Sequence, residues 1–201
     1  MKKLELSFYQ RENVLTIAKE LLGKILVTNW EGIITSGRIV ETEAYAGEVD
    51  NASHARGGRR TARTEIMYAE GGHAYVYLCY GIHHLFNVVT NFKHIPHAIL
   101  IRAVEPLEGI DKMLERTGKD KLDHTLTRGP GNVSKALGIY THHTGISLLS
   151  DHLFIAGDGK KYSRKEIGIS PRIGVDYAGA HALWDYRFYV KDNPYVSGRP
   201  R

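Results

Sequence analysis

Between Val14 and Leu22 the apolar residues Val14, Ile17, Ala18, Leu21 and Leu22 recur at three- and four-residue steps. That spacing predicts a helix with one buried face, and Gly23 supplies its stop. The period then shortens. Lys24 to Thr28 reads as a strand, Asn29 to Gly32 as a turn and Ile33 to Tyr45 as the returning strand. HAYVYLCY (73–80) alternates and is rich in aromatic rings, Gly81 to His84 reads as a bend, and LFNVVT (85–90) as the return. AILIRAV (98–104) is apolar enough for the centre of a sheet. Pro106 is expected to open a helix in which Leu107, Ile110 and Leu114 share a face and Gly118 ends it. Lys119 to Arg128 reads as a loop, and GNVSKALG as a short helix between Gly131 and Gly138. LFIAG (153–157), PRIGV (171–175) and RFYV (187–190) complete the strands. Most strand neighbours are joined by hairpins, and no repeat or linker divides the chain. The predicted fold class is therefore α+β, a single domain over 1–201 around a mostly antiparallel sheet with flanking helices.

Composition adds bounds. A chain of 201 residues can bury roughly 70% of its unfolded surface in one core. The balance of 27 Lys+Arg against 22 Asp+Glu gives a net charge of +5, which suits a polyanionic partner without requiring one. Cys79 is the sole cysteine, so neither an intramolecular disulfide nor a cysteine cage for zinc can form. A reducing compartment fits. The opening MKKLELSFYQREN lacks the apolar run of a signal peptide, and no stretch approaches membrane-spanning length. A cytoplasmic location is expected.

Candidate chemistry concentrates in RIVETEAYAGEVDNASHARGGRRTART (38–64). Alternation puts Ile39, Glu41, Glu43 and Tyr45 on one face of a strand, with Val40, Thr42 and Ala44 on the other. Spacing alone leaves two readings open: a solvated acidic face, or a carboxylate mounted beside a ring as a general base. Arg56, Arg59, Arg60 and Arg63 follow within eight positions around Gly57 and Gly58. They form either a solvated loop or a set of phosphate contacts. In the next strand Tyr75, Tyr77 and Cys79 share a face, while Tyr80 ends the strand before Gly81, a hairpin-tip position that buries poorly. One ring that stacks on a base and another that wedges into a duplex are what base extrusion requires. The pairs His83–His84 and His142–His143 have no metal-ligand spacing, and neither HExxH nor the zinc-deaminase pattern is present. GxxxxGK[ST] and GxGxxG are absent too, so neither a metal nor a nucleotide cofactor is expected.

Together VETEAY, SHARGG, YVYLCYG, FNVV, LIRAVEPLEG and RGPG…ALGI resemble the alkyladenine (3-methyladenine) DNA glycosylases, in the family's order and from the first helix to about Val196. The resemblance implies a curved sheet with a protruding β-hairpin, and a cofactor-free monomer acting on double-stranded DNA. The family removes damaged purines: 3-methyladenine, 7-methylguanine and, in several members, hypoxanthine and ethenoadenine. Its catalytic base falls on Glu43, its pocket residues on Tyr45 and His54, and its stacking tyrosine on Tyr77. The intercalating wedge falls on Tyr80, the asparagine that screens the base on Asn87, and the arginine near the reacting nucleotide on Arg102. Arg56, Arg59, Arg60 and Arg63 become candidate backbone contacts, and Glu41 receives no role. The chain departs from the family's GPxK, reading Gly129-Pro130-Gly131-Asn132 with Lys135 further on. Two other functions are compatible with the residues: a non-catalytic nucleic-acid binding domain, and a small-molecule N-glycoside hydrolase using Glu41 with Glu43. Against the second, side chains two apart on a strand sit roughly 6–7 Å apart and project in parallel.

Overall fold

The computed structural model describes residues 1–198. The chain begins with a short strand β1 (Lys2–Lys3) and one helical turn α1 (Leu6–Tyr9), neither of which the hydrophobic pattern announces. The expected first helix is α2 (Val14–Leu21), capped by the Asn13 side chain, which accepts from the Thr16 N–H at 3.0 Å. Strands β2 (Ile25–Trp30) and β3 (Ile33–Tyr45) follow. Their hairpin is tighter than expected: Trp30 pairs with Ile33, and Glu31 and Gly32 both take positive φ, as a two-residue turn demands. Strands β4 (Ala74–Cys79), β5 (His83–Thr90) and β6 (His97–Glu108) complete a meander. Helices α3 (Ile110–Thr117) and α4 (Pro130–Leu137) precede β7 (Leu153–Gly157), β8 (Ile167–Ser170) and β9 (Arg187–Val190).

Among the described residues the strands form one open, curved sheet in the order β1-β7-β2-β3-β6-β5-β4, with β9 joining β3 to β8. All pairings are antiparallel, as the α+β expectation required. One sheet face carries the larger core, where Val76, Phe86, Val88, Ile99 and Ile101 pack with residues of α2 and α4. Thr42 belongs to this face and donates to the Ala18 carbonyl of α2 at 3.0 Å. A smaller cluster of Ala55, Met67, Tyr68, Tyr75, Val89 and Ala98 covers part of the opposite face.

Two expectations fail for physical reasons. Pro106 does not open a helix. Strand β6 runs through it to Glu108 because the proline sits opposite Gly37, where the β3–β6 register slips; a proline can sit at such an irregularity because the pairing is already disrupted. A Cβ on Gly37 would come within 2.6 Å of the Val104 side chain, so only glycine lets the strands close there. The helix starts instead at Ile110, after Gly109 in the left-handed region. PRIGV is not a strand either: β8 ends at Ser170, and 171–175 is irregular backbone folded over the sheet end of β3. The short helix, by contrast, is present and starts one residue earlier than expected, with Pro130 in its first turn. No helix among the described residues is long and apolar enough to cross a membrane.

Candidate active site

The antiparallel register lines up one rung across five strands: Tyr75 with Asn87, Asn87 with Leu100, Leu100 with Glu43 and Glu43 with Arg187. All lie opposite the larger core, and a cleft of about 500 Å³ opens on their side, bordered by Tyr45, His54, Tyr77, Tyr80, Arg102 and Ile173. A side pocket of about 30 Å³ reaches inward to Tyr75 and Asn87. Strand alternation thus delivers the side chains, and the register brings them together.

Glu41 and Glu43 are not a solvated face; both are fully buried. Glu43 accepts at Oε1 from the Ile173 N–H (2.8 Å), with Arg102 Nη1 at 3.3 Å, and at Oε2 from the Tyr45 hydroxyl (2.9 Å). Arg102 reaches it because of two adjacent irregularities. Val40 is skipped on β3, and Arg102 is the extra residue on β6 between Ala103 and Ile101. A bulge re-aims a side chain in this way. It also explains why Ile39 leaves the acids and packs in the larger core with Val40. Burial disfavours the Arg102 cation, but Glu43 and Glu41 outweigh it and push the guanidinium upward.

The rings are placed with equal definition. Burial, then Glu43, drives the Tyr45 hydroxyl well above its usual range, so it stays protonated and donating. Tyr77 is likewise raised by burial. His54 meets Tyr77 edge-on at 4.6 Å and shares a 2.7 Å hydrogen bond with the Tyr75 hydroxyl. Burial, then Arg63 and Arg59, lowers His54 to about 4, leaving a neutral ring at neutral pH. Asn87 is nearly buried, its amide nitrogen donating to the Tyr75 and Leu85 carbonyls at 3.2 and 3.1 Å. Tyr80 stands 91% exposed at the hairpin tip. Its φ of 50°, with Gly81 at 74°, forms the tight turn.

The four arginines divide. Arg56, Arg59 and Arg63 border the cleft, and Arg63 lies over the Tyr77 ring at 4.9 Å, 3.0 Å from His54 Nε2. Arg60 turns away, paired to Glu65 and stacked on Tyr68. Asn132 donates to the Thr125 and Arg128 carbonyls and Lys135 to the Thr117 carbonyl. Of the adjacent histidines, His84, His142 and His143 pack into an aromatic group in which His143 stacks on Trp30, His142 stacks on Tyr140 and His84 meets Tyr140 edge-on. Among the described residues no three His, Cys, Asp or Glu side chains are grouped to hold a metal ion.

Several participants escape the sequence. Ile173 contributes a backbone N–H, invisible in residue identity. Arg172, bonded to Asp50 and to the Ala44 carbonyl (2.9 Å), lies between the Tyr45 and Tyr186 rings and anchors the Ile173 loop. Tyr177 lines the cleft wall and donates to the Ala52 carbonyl at 3.0 Å. No motif or spacing marks these three residues: Arg172 and Ile173 lie within PRIGV, whose local pattern resembles a strand.

A family model described as methylpurine-DNA glycosylase matches residues 7–194. A protein of Bacillus cytotoxicus is 47% identical over 198 residues, covering 94% of this chain and 97% of its own length. One from Clostridium perfringens (strain 13 / Type A) is 42% identical over 203 residues, 97% and 98% of the two chains. One from Chlamydia abortus is 49% identical over 185 residues, 92% and 96%. All three bear the provisional name 3-methyladenine DNA glycosylase.

Proposed function

Because the chain belongs to the methylpurine-DNA glycosylase family, hydrolases of N-glycosyl bonds, we propose that it extrudes alkylated or deaminated purines from duplex DNA and hydrolyses their bond to deoxyribose with a water activated by Glu43. The products are a free base and an abasic site, the start of base excision repair. Among the substrates we place 3-methyladenine, 7-methylguanine, hypoxanthine and ethenoadenine.

One observation carries the reading: a fully buried carboxylate held directly behind the cleft by three groups that line it, the Ile173 N–H, the Tyr45 hydroxyl and Arg102. Such a group is oriented before substrate arrives, as a general base must be. Water attacks C1′ as the base departs with the bonding electrons, and Glu43 takes the water's proton. Its negative charge also stabilises the oxocarbenium-like sugar as the bond breaks. A cationic alkylated purine meets no like charge from His54, whose imidazole stays neutral, while Tyr45 and Tyr77 keep their protons and act as neutral rings. The electron-rich rings favour stacking on such a base. Tyr80 fills the gap left in the duplex, at the few-kcal/mol cost typical of unstacking. Arg56, Arg59 and Arg63 line the path of the phosphates, and Arg60 joins them if it leaves Glu65. Asn87 bounds the inner pocket, where it screens the base.

The test is base release from duplexes that each carry one defined lesion. Wild-type protein is expected to yield alkali-labile abasic sites. Glu43→Gln should bind the lesion duplex yet lose roughly 10²–10⁴-fold in single-turnover rate, the range of general-base catalysis. Full activity in that variant would sink the assignment.

A further inference from the structure

Glu41 is as buried as Glu43 and neither lines the cleft, but all three partners of Glu43 do, whereas of the partners of Glu41 only Arg102 does. The Oε1 of Glu41 accepts from Arg187 Nε (2.7 Å), the Ser197 hydroxyl (3.0 Å) and Arg102 Nε (3.1 Å), and its Oε2 from the Ser197 N–H (2.7 Å). Arg102 therefore bridges two carboxylates, Nε on Glu41 and Nη1 near Glu43. Its Nη2 donates to the Ser197 hydroxyl at 3.1 Å. Arg187 closes the other side, bonded to Glu41, Ser170 and the Ser197 carbonyl. Two cations and two anions alternate in a space from which water is nearly excluded.

We propose that Glu41 is a positioning residue for hydrolysis, setting how strongly Arg102 acts on the carboxylate of Glu43. The proposal rests on the glycosylase reading. In a buried cluster a charge cannot be screened by water, so each group feels its neighbours at several times their strength in solvent. With Glu41 present, the Arg102 cation is divided between two acids and Glu43 remains able to take a proton. Without that negative charge, both arginines act on Glu43 alone, and it becomes a poorer base. A group that only supported the fold would alter stability without touching the protonation of Glu43. The arrangement also predicts opposite signs for two substitutions. Glu41→Gln removes an anion and so favours ionised Glu43. Arg187→Gln removes a cation and frees Glu41 to hold Arg102 more fully, so it disfavours ionised Glu43.

The experiment is the pH dependence of single-turnover base release from a duplex bearing one 7-methylguanine, with duplex affinity and thermal unfolding recorded alongside. For Glu41→Gln the acid limb should move down by ~1 pH unit, the effect of one neighbouring charge. Its plateau rate should fall ~10-fold with duplex affinity unchanged, since only the proton-transfer step is weakened. Arg187→Gln should move the limb up, and Glu41→Asp, which keeps the charge, should return it towards wild type. If Glu41→Gln does not fold, the upward shift in Arg187→Gln decides the matter. Limbs that coincide with wild type in the folded variants, whatever their melting temperatures, overturn the proposal. Absence of base release by wild-type protein would instead defeat the glycosylase reading, a separate outcome.

Discussion

Around Glu43 every polar side chain has partners and almost none reaches water: Glu41 and Glu43 are fully buried, and Arg102 and Arg187 nearly so. At the hairpin tip, bordering the same cleft, the opposite holds. Tyr80 and Ile82 are 91% and 71% exposed, and Leu78 is 44% exposed. Tyr80 also takes a left-handed backbone that non-glycine residues seldom adopt. Three apolar side chains facing solvent gain nothing in the isolated protein. The centre is built to be finished before substrate comes; the tip is finished only when something covers it. Changes at the centre should therefore cost stability, and changes at the tip should cost function alone.

The sharpest way to break that contrast is Glu41→Ala. It leaves two buried arginines short of an anion, and chemical denaturation should show a loss of about 3–5 kcal/mol, as when one partner of a buried pair is removed. A loss below 1 kcal/mol would mean that the centre is not the reservoir of stability. Tyr80→Ser makes the converse case. Unfolding should stay within ~0.5 kcal/mol of wild type, as for surface changes away from the core. Base release should slow on the order of 10- to 100-fold, the worth of one stacked ring. An unchanged excision rate would remove the wedge role.

The smallest expected effect concerns His54, which stands between the two regions. Burial, then Arg63 and Arg59, holds it at about 4 instead of 6.5. As pH falls below 6.5 the unfolded chain takes up this proton first, so the contribution is whole above 6.5 and is lost progressively towards pH 4. Melting temperature should thus drop less between pH 7 and pH 5 in His54→Gln than in wild type. Equal drops would show that the ring is protonated as readily in the folded protein.

Period-two alternation was enough to pair the β2–β3 and β4–β5 hairpins and to put Tyr75 and Tyr77 on one face, because that information is local. The motif match fixed attention on Glu43 among two equivalent acids. What stayed hidden depends on distance along the chain. Arg187 and Ser197 reach Glu41 across 146 and 156 positions, and nothing near them in sequence marks them. The bulge that aims Arg102 arises from the mutual register of two strands, so neither strand alone encodes it. Pro106 misled for the same reason: local preference favours a helix start, while the irregular pairing opposite Gly37 accommodates proline in the strand.

The pairing of β9 with the Glu41–Glu43 segment of β3, together with the bonds from Ser197, has a consequence for synthesis. During translation the acids of β3 are in place early, but Arg187 and Ser197, which supply three of the four hydrogen bonds to Glu41, emerge long after them. Until β9 has cleared the ribosome, the segment remains an open strand edge of the kind that invites foreign pairing, and until Ser197 follows, Glu41 lacks two of its four hydrogen bonds. A nascent chain can thus form the β2–β3 hairpin while the buried cluster around Glu41 is still incomplete, so the cluster is assembled only in molecules whose synthesis has passed that point.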